Sequence, residues 1–167
     1  MDITKADDWM QKHVDDPCDV YHIAFPCTNL SNAKTVPEKT RSLENPYGSP
    51  HDAENVSINA LVWRVMRWTL QLLAKGSIVM FENPLLSYFF YLNEVAGILG
   101  AEGYEMIRTD HCQDGAPYQK PQVFAANSAA IADVGRLCNH RQHAQTLEGA
   151  ATRRSSPYPR SLCIRIV

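Results

Sequence analysis

The sequence predicts an α/β fold in which mostly parallel strands are joined by crossover helices. Two short apolar runs, Asp19 to Phe25 and Ser77 to Phe81, are each followed by a proline-containing stop, as buried strands often are. Between them, from Ser57 to Gly76, apolar residues recur at the three-and-four spacing of an amphipathic helix. A strand, a helix and a second strand in this order are typical of a right-handed crossover between parallel strands.

The first strand and helix are separated by a long loop. The strand is predicted to stop at Pro26, because proline has no backbone N–H to continue a ladder. From Thr28 to Pro50 the chain is rich in Asn, Ser, Thr and Pro without a period, so we expect a loop of about twenty residues, a length that usually has a function. Arg41 on this loop is a candidate for phosphate contact, although a solvated charge is its commoner role. The helix begins at Ser57 and ends at Gly76, which can cap it.

The second half of the chain continues the alternation. A helical stretch is predicted from Ser87 to Leu99, before a glycine-rich end, and a strand from Tyr104 to Cys112 is expected to extend the sheet. Val123 to Ala126 is predicted to pair back as a hairpin partner. The last stretch, Tyr158 to Val167, fits either a closing helix or a strand.

Composition suits a single soluble domain. The chain has 167 residues, of which 45% are apolar and 20% charged, enough for a sizeable core. Residues 1–117 hold 16 acidic and nine basic residues, whereas residues 118–167 hold two and seven. We therefore divide the chain into an α/β core, residues 1–127, and a basic C-terminal segment, residues 128–167, that packs on it. The basic segment is either a solvated tail or a contact for phosphate.

Nothing in the sequence predicts a membrane span or a secretory signal. Lys75 and Glu82 interrupt the strongest apolar run, and Met1 to Asp8 carries four charges without an apolar segment. The five cysteines are scattered, which favours reduced thiols over a disulfide framework. We expect a cytoplasmic or nuclear protein that is not secreted and does not contact a membrane.

Two candidate catalytic residues follow the two predicted strands. Cys27 comes after the first strand and Glu82 after the second, and sites in parallel sheets form beyond the carboxyl ends of strands. One helix joins the two strands, so we expect the thiol and the carboxylate to face one pocket. The alternatives are that Cys27 is a small buried hydrophobic residue and that Glu82 caps the following helix.

Three ordered segments carry a recognisable pattern. The first, Phe25 to Ser31, contains Pro-Cys with a serine four residues after the cysteine, and the second, Phe81 to Pro84, reads Phe-Glu-Asn-Pro. The third, Cys112 to Phe124, contains Pro-Tyr-Gln-Lys-Pro-Gln before an aromatic residue. These segments resemble the motifs of the DNA (cytosine-5) methyltransferases, in a variant typical of small phage-type members. The ending Tyr158 to Cys163 is similar to that of the same proteins.

The resemblance implies a reaction and a set of roles. In that family a cysteine thiolate, here Cys27, adds to carbon 6 of cytosine, so that carbon 5 can attack the methyl group of S-adenosyl-L-methionine. A glutamate, here Glu82, hydrogen-bonds or protonates ring nitrogen 3. The resemblance further implies a DNA partner with a flipped base and a partial Rossmann-like methyltransferase sheet in residues 1–127. It places substrate-binding roles on the neighbouring residues Pro26, Ser31, Asn83, Pro84, Lys120 and Gln122.

The chain departs from the family in two places. The glycine-rich turn that binds S-adenosylmethionine is absent, since no glycine precedes Cys27. Asp2 resembles the acidic strand end that binds the adenine of the cofactor, and the resemblance implies that a second chain supplies the missing N-terminal portion. Lys120 and Gln122 stand where the family has two arginines, which predicts weaker contacts to the base or backbone.

A second cluster has metal-ligand residue types. Cys138, His140 and His143 can supply three zinc ligands, with Cys163 or Cys112 as a fourth. The spacing is tighter than in common zinc motifs, so the sequence favours ordinary surface residues and zinc is not expected.

Two other functions fit the sequence. One is a catalytically silent methyltransferase relic or subunit that binds DNA through its basic C-terminal region. The other is a cysteine hydrolase in which Cys27 pairs with a histidine such as His111.

Overall fold

One four-stranded sheet organises the part of the chain that the computed structural model describes, residues 3–31, 40–147 and 157–166. Its strand order is β1-β2-β4-β3. The strands are β1 (Val20–Ala24), β2 (Ile78–Pro84), β3 (Glu105–Asp110) and β4 (Pro121–Ala126). The protein is therefore a mixed α/β fold, and all four predicted strands are present.

The predicted parallel pairing holds for one of the three strand pairs. β1 and β2 are parallel, with Ala24 opposite Glu82, whereas β4 is antiparallel to both β2 and β3. The prediction of a mostly parallel sheet is therefore wrong. The reason is the β3–β4 connection, residues 111–120, which contains the 3-10 helix His111–Asp114 and then Gly115 with a left-handed φ of 87°. It is too short for the crossover that parallel neighbours need, so the chain turns back. In the sheet β4 lies between β2 and β3. β3 still runs in the same direction as β1 and β2.

Five α-helices surround the sheet in the described ranges. They are α1 (Ile3–Asp15), α2 (Cys27–Leu30), α3 (Ala53–Ala74), α4 (Asn93–Ala101) and α5 (Arg160–Ile166). The predicted helix from Ser57 starts earlier, because the Asp52 side chain accepts from the backbone N–H groups of Glu54 and Asn55 and caps α3. The second predicted helix is divided into a 3-10 helix, Tyr88–Tyr91, and α4.

The two faces of the sheet pack differently. Val79 and Phe81 of β2 face a large apolar cluster that includes Val62 and Leu72 of α3. The alternate residues of β2 face the other side, where Leu162 of α5 is fully buried. Glu82 belongs to this second face, so the C-terminal helix covers the side of the sheet that carries the candidate catalytic carboxylate.

No described helix combines the length and the apolar character that crossing a membrane requires. This agrees with the interrupted apolar runs of the sequence.

Candidate active site

Cys27 lies directly after β1 and is partly buried. It is the first residue of the short helix α2, and Pro26 precedes it as the N-terminal cap residue. The backbone N–H of Ser31 donates to the carbonyl of Cys27 at 2.7 Å, which closes the turn. The strand, the proline stop and the cysteine thus lie in the predicted order.

A buried arginine fixes the position of α2. The Arg41 Nε atom donates to Oδ1 of Asn29 at 2.8 Å, and its Nη1 donates to Oδ1 of Asn59 in α3 at 3.0 Å. Asn29 in turn donates to Oδ1 of Asn55 at 3.1 Å. Arg41 is 4% exposed, so it joins the loop to two helices and contacts neither bulk solvent nor phosphate. Neither role that the sequence suggested for Arg41 is confirmed.

Glu82 lies within β2 and is buried, with 6% of its surface exposed. β2 continues past the predicted end at Phe81 to Pro84, so Glu82 lies within the strand and the expectation that it follows the strand is wrong. Its Oε2 accepts a hydrogen bond from the Tyr158 hydroxyl at 2.7 Å, whereas Oε1 has no partner among the described residues. Burial raises the pKa of Glu82, and the Tyr158 hydrogen bond and the charge of Lys120 partly oppose that rise. The carboxyl group does not cap the helices that follow it, because Ser87 caps the 3-10 helix Tyr88–Tyr91 and the N-cap residue of α4 is Leu92, which has no side-chain cap.

Lys120 connects the two candidate catalytic residues electrostatically. Burial lowers the pKa of the Lys120 ammonium, and the nearby side chains of Cys27 and Glu82 oppose that lowering. Burial also raises the pKa of the Tyr158 hydroxyl, and Glu82 and Cys27 add to the rise. The structure therefore brings a thiol, a carboxyl group, an ammonium and a phenol within electrostatic range of one another, next to the carboxyl ends of β1 and β2.

The residues beside Glu82 present buried acceptors. Asn83 is fully buried and its Nδ2 donates to the Glu82 carbonyl at 2.9 Å, but its Oδ1 has no partner among the described residues. Gln122 lies opposite Pro84 on β4, and its buried Oε1 also has no partner there. Since a buried acceptor without a donor is costly, Glu82 and Gln122 on one face of the sheet are suited to a ligand that presents N–H groups.

Tyr158 also belongs to the site, although the sequence did not predict this role for it. Its ring stacks on His22 at 5.9 Å and meets His111 edge-on at 6.0 Å. The helix that follows it, α5, is fixed by Arg165, which forms an ion pair with Asp114 and donates to the Val134 carbonyl. The basic end of the chain therefore contributes a site residue, and one of its arginines has a structural partner.

His111 does not resemble the histidine of a cysteine hydrolase. It is fully buried, and neither ring nitrogen has a hydrogen-bond partner among the described residues, Cys27 included. Burial and the charge of Lys120 lower the pKa of His111 to about 4. A thiol–imidazole pair needs a hydrogen bond between the two groups, and Cys27 and His111 form none.

The other predicted site residues are Ser31, Asp2 and the candidate metal ligands. Ser31 forms an isolated bridge with Ser87, next to α2. Asp2 lies outside the described residues. Of the metal candidates, Cys138, His140 and His143 come together with Cys112, and Cys163 lies apart from them on α5.

Comparison of the chain with models of known protein families gives no match. A comparison with curated proteins gives no match either. The resemblance to methyltransferases therefore depends on the three motifs alone.

Proposed function

We propose that the chain is a DNA (cytosine-5) methyltransferase domain in which Cys27 attacks the target base and Glu82 holds it. The observation that carries this proposal is the grouping of Cys27, Glu82, Lys120 and Tyr158 at one end of the sheet. Each of the three motifs that resemble the family contributes a residue to this group. The strands beside these motifs, β1, β2 and β4, are far apart in the sequence and come together through strand pairing. A partial Rossmann-like sheet is part of the same proposal.

The raised pKa of Glu82 suits the role of a proton donor. A carboxyl group whose pKa is raised holds its proton more readily than a free one, and it can donate that proton to ring nitrogen 3 of cytosine while the Cys27 thiolate adds to carbon 6. The ring then carries the electron pair at carbon 5, which is the nucleophile of the reaction. Tyr158 keeps one carboxyl oxygen engaged at 2.7 Å, so the unpartnered Oε1 is free to face the base.

The acceptors beside the carboxyl group suit the amino group of cytosine. Gln122 Oε1 is buried and unpartnered among the described residues, so it can accept from the N–H donors of the exocyclic amine while Glu82 Oε1 engages ring nitrogen 3. Thymine presents a carbonyl oxygen at that position, which would meet another oxygen. This arrangement supports cytosine as the base that the site accepts.

The described residues do not fit the methyl donor. S-adenosylmethionine supplies a sulfonium methyl group, and the family binds it on a glycine-rich strand turn before the cysteine. Here the described residues before β1 form α1, and no glycine precedes Cys27. No donor site is therefore assigned to the described residues. A cytoplasmic or nuclear location, where DNA lies, goes with the proposed reaction on DNA.

The direct test measures release of tritium from DNA labelled at carbon 5 of cytosine by the full chain, because this readout of the Cys27 addition needs no methyl donor. We expect Cys27→Ala to abolish release and Glu82→Gln to lower it by about 100-fold or more, because general acid catalysis contributes that much. Cys18→Ser is the matched control, since Cys18 is an exposed thiol outside the site. Release by Cys27→Ala at the rate of the unaltered chain would contradict the proposal.

A non-catalytic DNA-binding subunit is the second candidate. Arg136, Arg141 and Arg160 are exposed in the basic C-terminal region and can meet phosphates. This function predicts salt-sensitive DNA binding that does not change when Cys27 or Glu82 is replaced. A wild-type chain that binds DNA but never modifies cytosine would favour it.

A further inference from the structure

Four side chains of metal-binding type converge beside the β3–β4 connection. They are Cys112, Cys138, His140 and His143, and their ligand atoms all lie within 4.8 Å of one another. Cys112 is buried, the other three are partly buried or exposed, and the cysteines are free thiols. The sequence did not decide which cysteine accompanies the other three residues, and the fold places Cys112 there.

The separations match the edges of a tetrahedron around zinc. Cys138 Sγ is 3.2 Å from Nε2 of His143 and 3.6 Å from Nδ1 of His140. With Zn–S bonds of about 2.3 Å and Zn–N bonds of about 2.0 Å, a tetrahedral site separates sulfur and nitrogen by about 3.5 Å. Small side-chain movements would thus suffice to admit an ion.

The backbone around the cluster is fixed by contacts outside it. The N–H of Cys138 donates to Oδ2 of buried Asp110 at 2.8 Å, and Gln113 donates to Oδ1 of Asn139 at 2.9 Å. The N–H of Asp110 in turn donates to the carbonyl of Arg136 at 2.8 Å. These bonds hold the segment that carries three of the ligands against the end of β3, where the fourth ligand lies.

The segment that carries these ligands has little apolar burial to order it. Residues 137–147 form no helix or strand, and Leu137 is 64% exposed. A segment with so little apolar burial gains few packing contacts to offset the entropy of ordering its backbone. Such a segment is typical of those that a structural metal organises.

We propose that Cys112, Cys138, His140 and His143 bind a structural Zn²⁺ ion that fixes residues 137–147 to the β3–β4 connection. Two thiolates and two imidazoles fill a tetrahedral site, which leaves no open position for water and excludes a catalytic role. This donor set prefers zinc to the hard cations Mg²⁺ and Ca²⁺, which take oxygen ligands. The site does not depend on the proposed methyltransferase activity.

The test measures zinc in the full chain, purified under reducing conditions without chelator, by elemental analysis. We expect about one Zn²⁺ per chain, and we expect Co²⁺ that replaces it to show the thiolate charge-transfer and visible bands of a tetrahedral site. Cys138→Ser and His143→Ala should each weaken Zn²⁺ binding by more than about 100-fold, because even the loss of an outer-shell contact costs 10- to 100-fold. Cys18→Ser, the exposed control, should bind Zn²⁺ as the unaltered chain does.

A second measurement keeps the test independent of how well the variants fold. Zn²⁺ should raise the unfolding temperature of the unaltered chain and leave that of Cys138→Ser unchanged. Full zinc content in Cys138→Ser, or absence of zinc from a folded unaltered chain to which Zn²⁺ has been added, would overturn the proposal. A Cys112–Cys138 disulfide in the reduced preparation, seen as a mass lower by two hydrogens, would overturn it too.

Discussion

Replacement of Glu82 by glutamine should stabilise the fold at neutral pH while it removes the proposed activity. Glu82 is 6% exposed, and one of its oxygens has no partner among the described residues. An unsatisfied buried polar atom costs about 1–3 kcal/mol, more when it is charged. The neutral amide keeps an acceptor for Tyr158 and removes the buried charge, so we expect Glu82→Gln to raise the free energy of unfolding by about 1–2 kcal/mol at pH 7.

The pH dependence of this gain follows from the sign of the pKa shift. Burial raises the pKa of Glu82, so the folded chain binds the proton more tightly than the unfolded chain does. The contribution of Glu82 to stability is therefore greatest below the unfolded pKa of about 4.3 and declines as the pH rises through the folded pKa. The advantage of Glu82→Gln should be small near pH 4 and should grow toward pH 7.

Urea unfolding followed by tryptophan fluorescence at both pH values measures this difference. Glu105→Gln is the matched control, because Glu105 is an exposed glutamate on β3 of the same sheet. It should change stability by less than about 0.5 kcal/mol at either pH. If Glu82→Gln destabilises the chain more at pH 7 than at pH 4, the carboxylate is a net stabilising partner of Lys120 and the reasoning is refuted.

Three further replacements probe the site and its support. Tyr158→Phe removes a hydroxyl that donates to Glu82 at 2.7 Å, so the pKa of Glu82 should rise further in a carboxyl ¹³C NMR titration. An unchanged pKa would show that this bond does not hold the carboxyl group. Arg41→Met breaks a buried hydrogen-bond network and should cost about 3 kcal/mol in urea unfolding, and a cost below about 1 kcal/mol would contradict that role. Gly48→Ala should destabilise the chain by about 1–3 kcal/mol, because its φ is 70° and a Cβ would lie 2.3 Å from a side-chain nitrogen. Gly97→Ala, in a helix where a Cβ meets nothing within 4 Å, should instead be neutral or stabilising by up to about 1 kcal/mol.

Local pattern predicts the elements of this fold better than their pairing. The strand from Asp19, the helix to Gly76 and the next strand are visible because apolar spacing and proline or glycine stops are local properties. β4 lies between β2 and β3 because the β3–β4 hairpin pairs with β2 through β4. The periodicity of apolar residues does not indicate which strand of a hairpin pairs with the neighbouring strand. α1 was not predicted, although Ile3, Ala6, Met10 and Val14 recur at the three-and-four spacing of an amphipathic helix.

In the candidate site, too, local patterns were predicted and long-range contacts were not. Cys27 and Glu82 were visible because each lies at or near the end of an apolar strand, in a recognisable motif. Tyr158 reaches Glu82 across 76 positions of sequence, and no local signal reports such a contact. Arg41 looks like an ordinary loop charge until its buried asparagine partners are known. Residues that act through long-range contacts therefore need the fold.

The central claim is that the Cys27 thiolate adds to carbon 6 of cytosine. This step needs no methyl donor, and the adduct takes a solvent proton at carbon 5 before the original hydrogen leaves on elimination. Release of tritium from DNA labelled at carbon 5 of cytosine, without S-adenosylmethionine, therefore measures the claim most directly. We predict release by the unaltered chain and by Cys18→Ser, and none by Cys27→Ala. Equal release by Cys27→Ala, or no release by a folded chain that binds the DNA, would contradict the account.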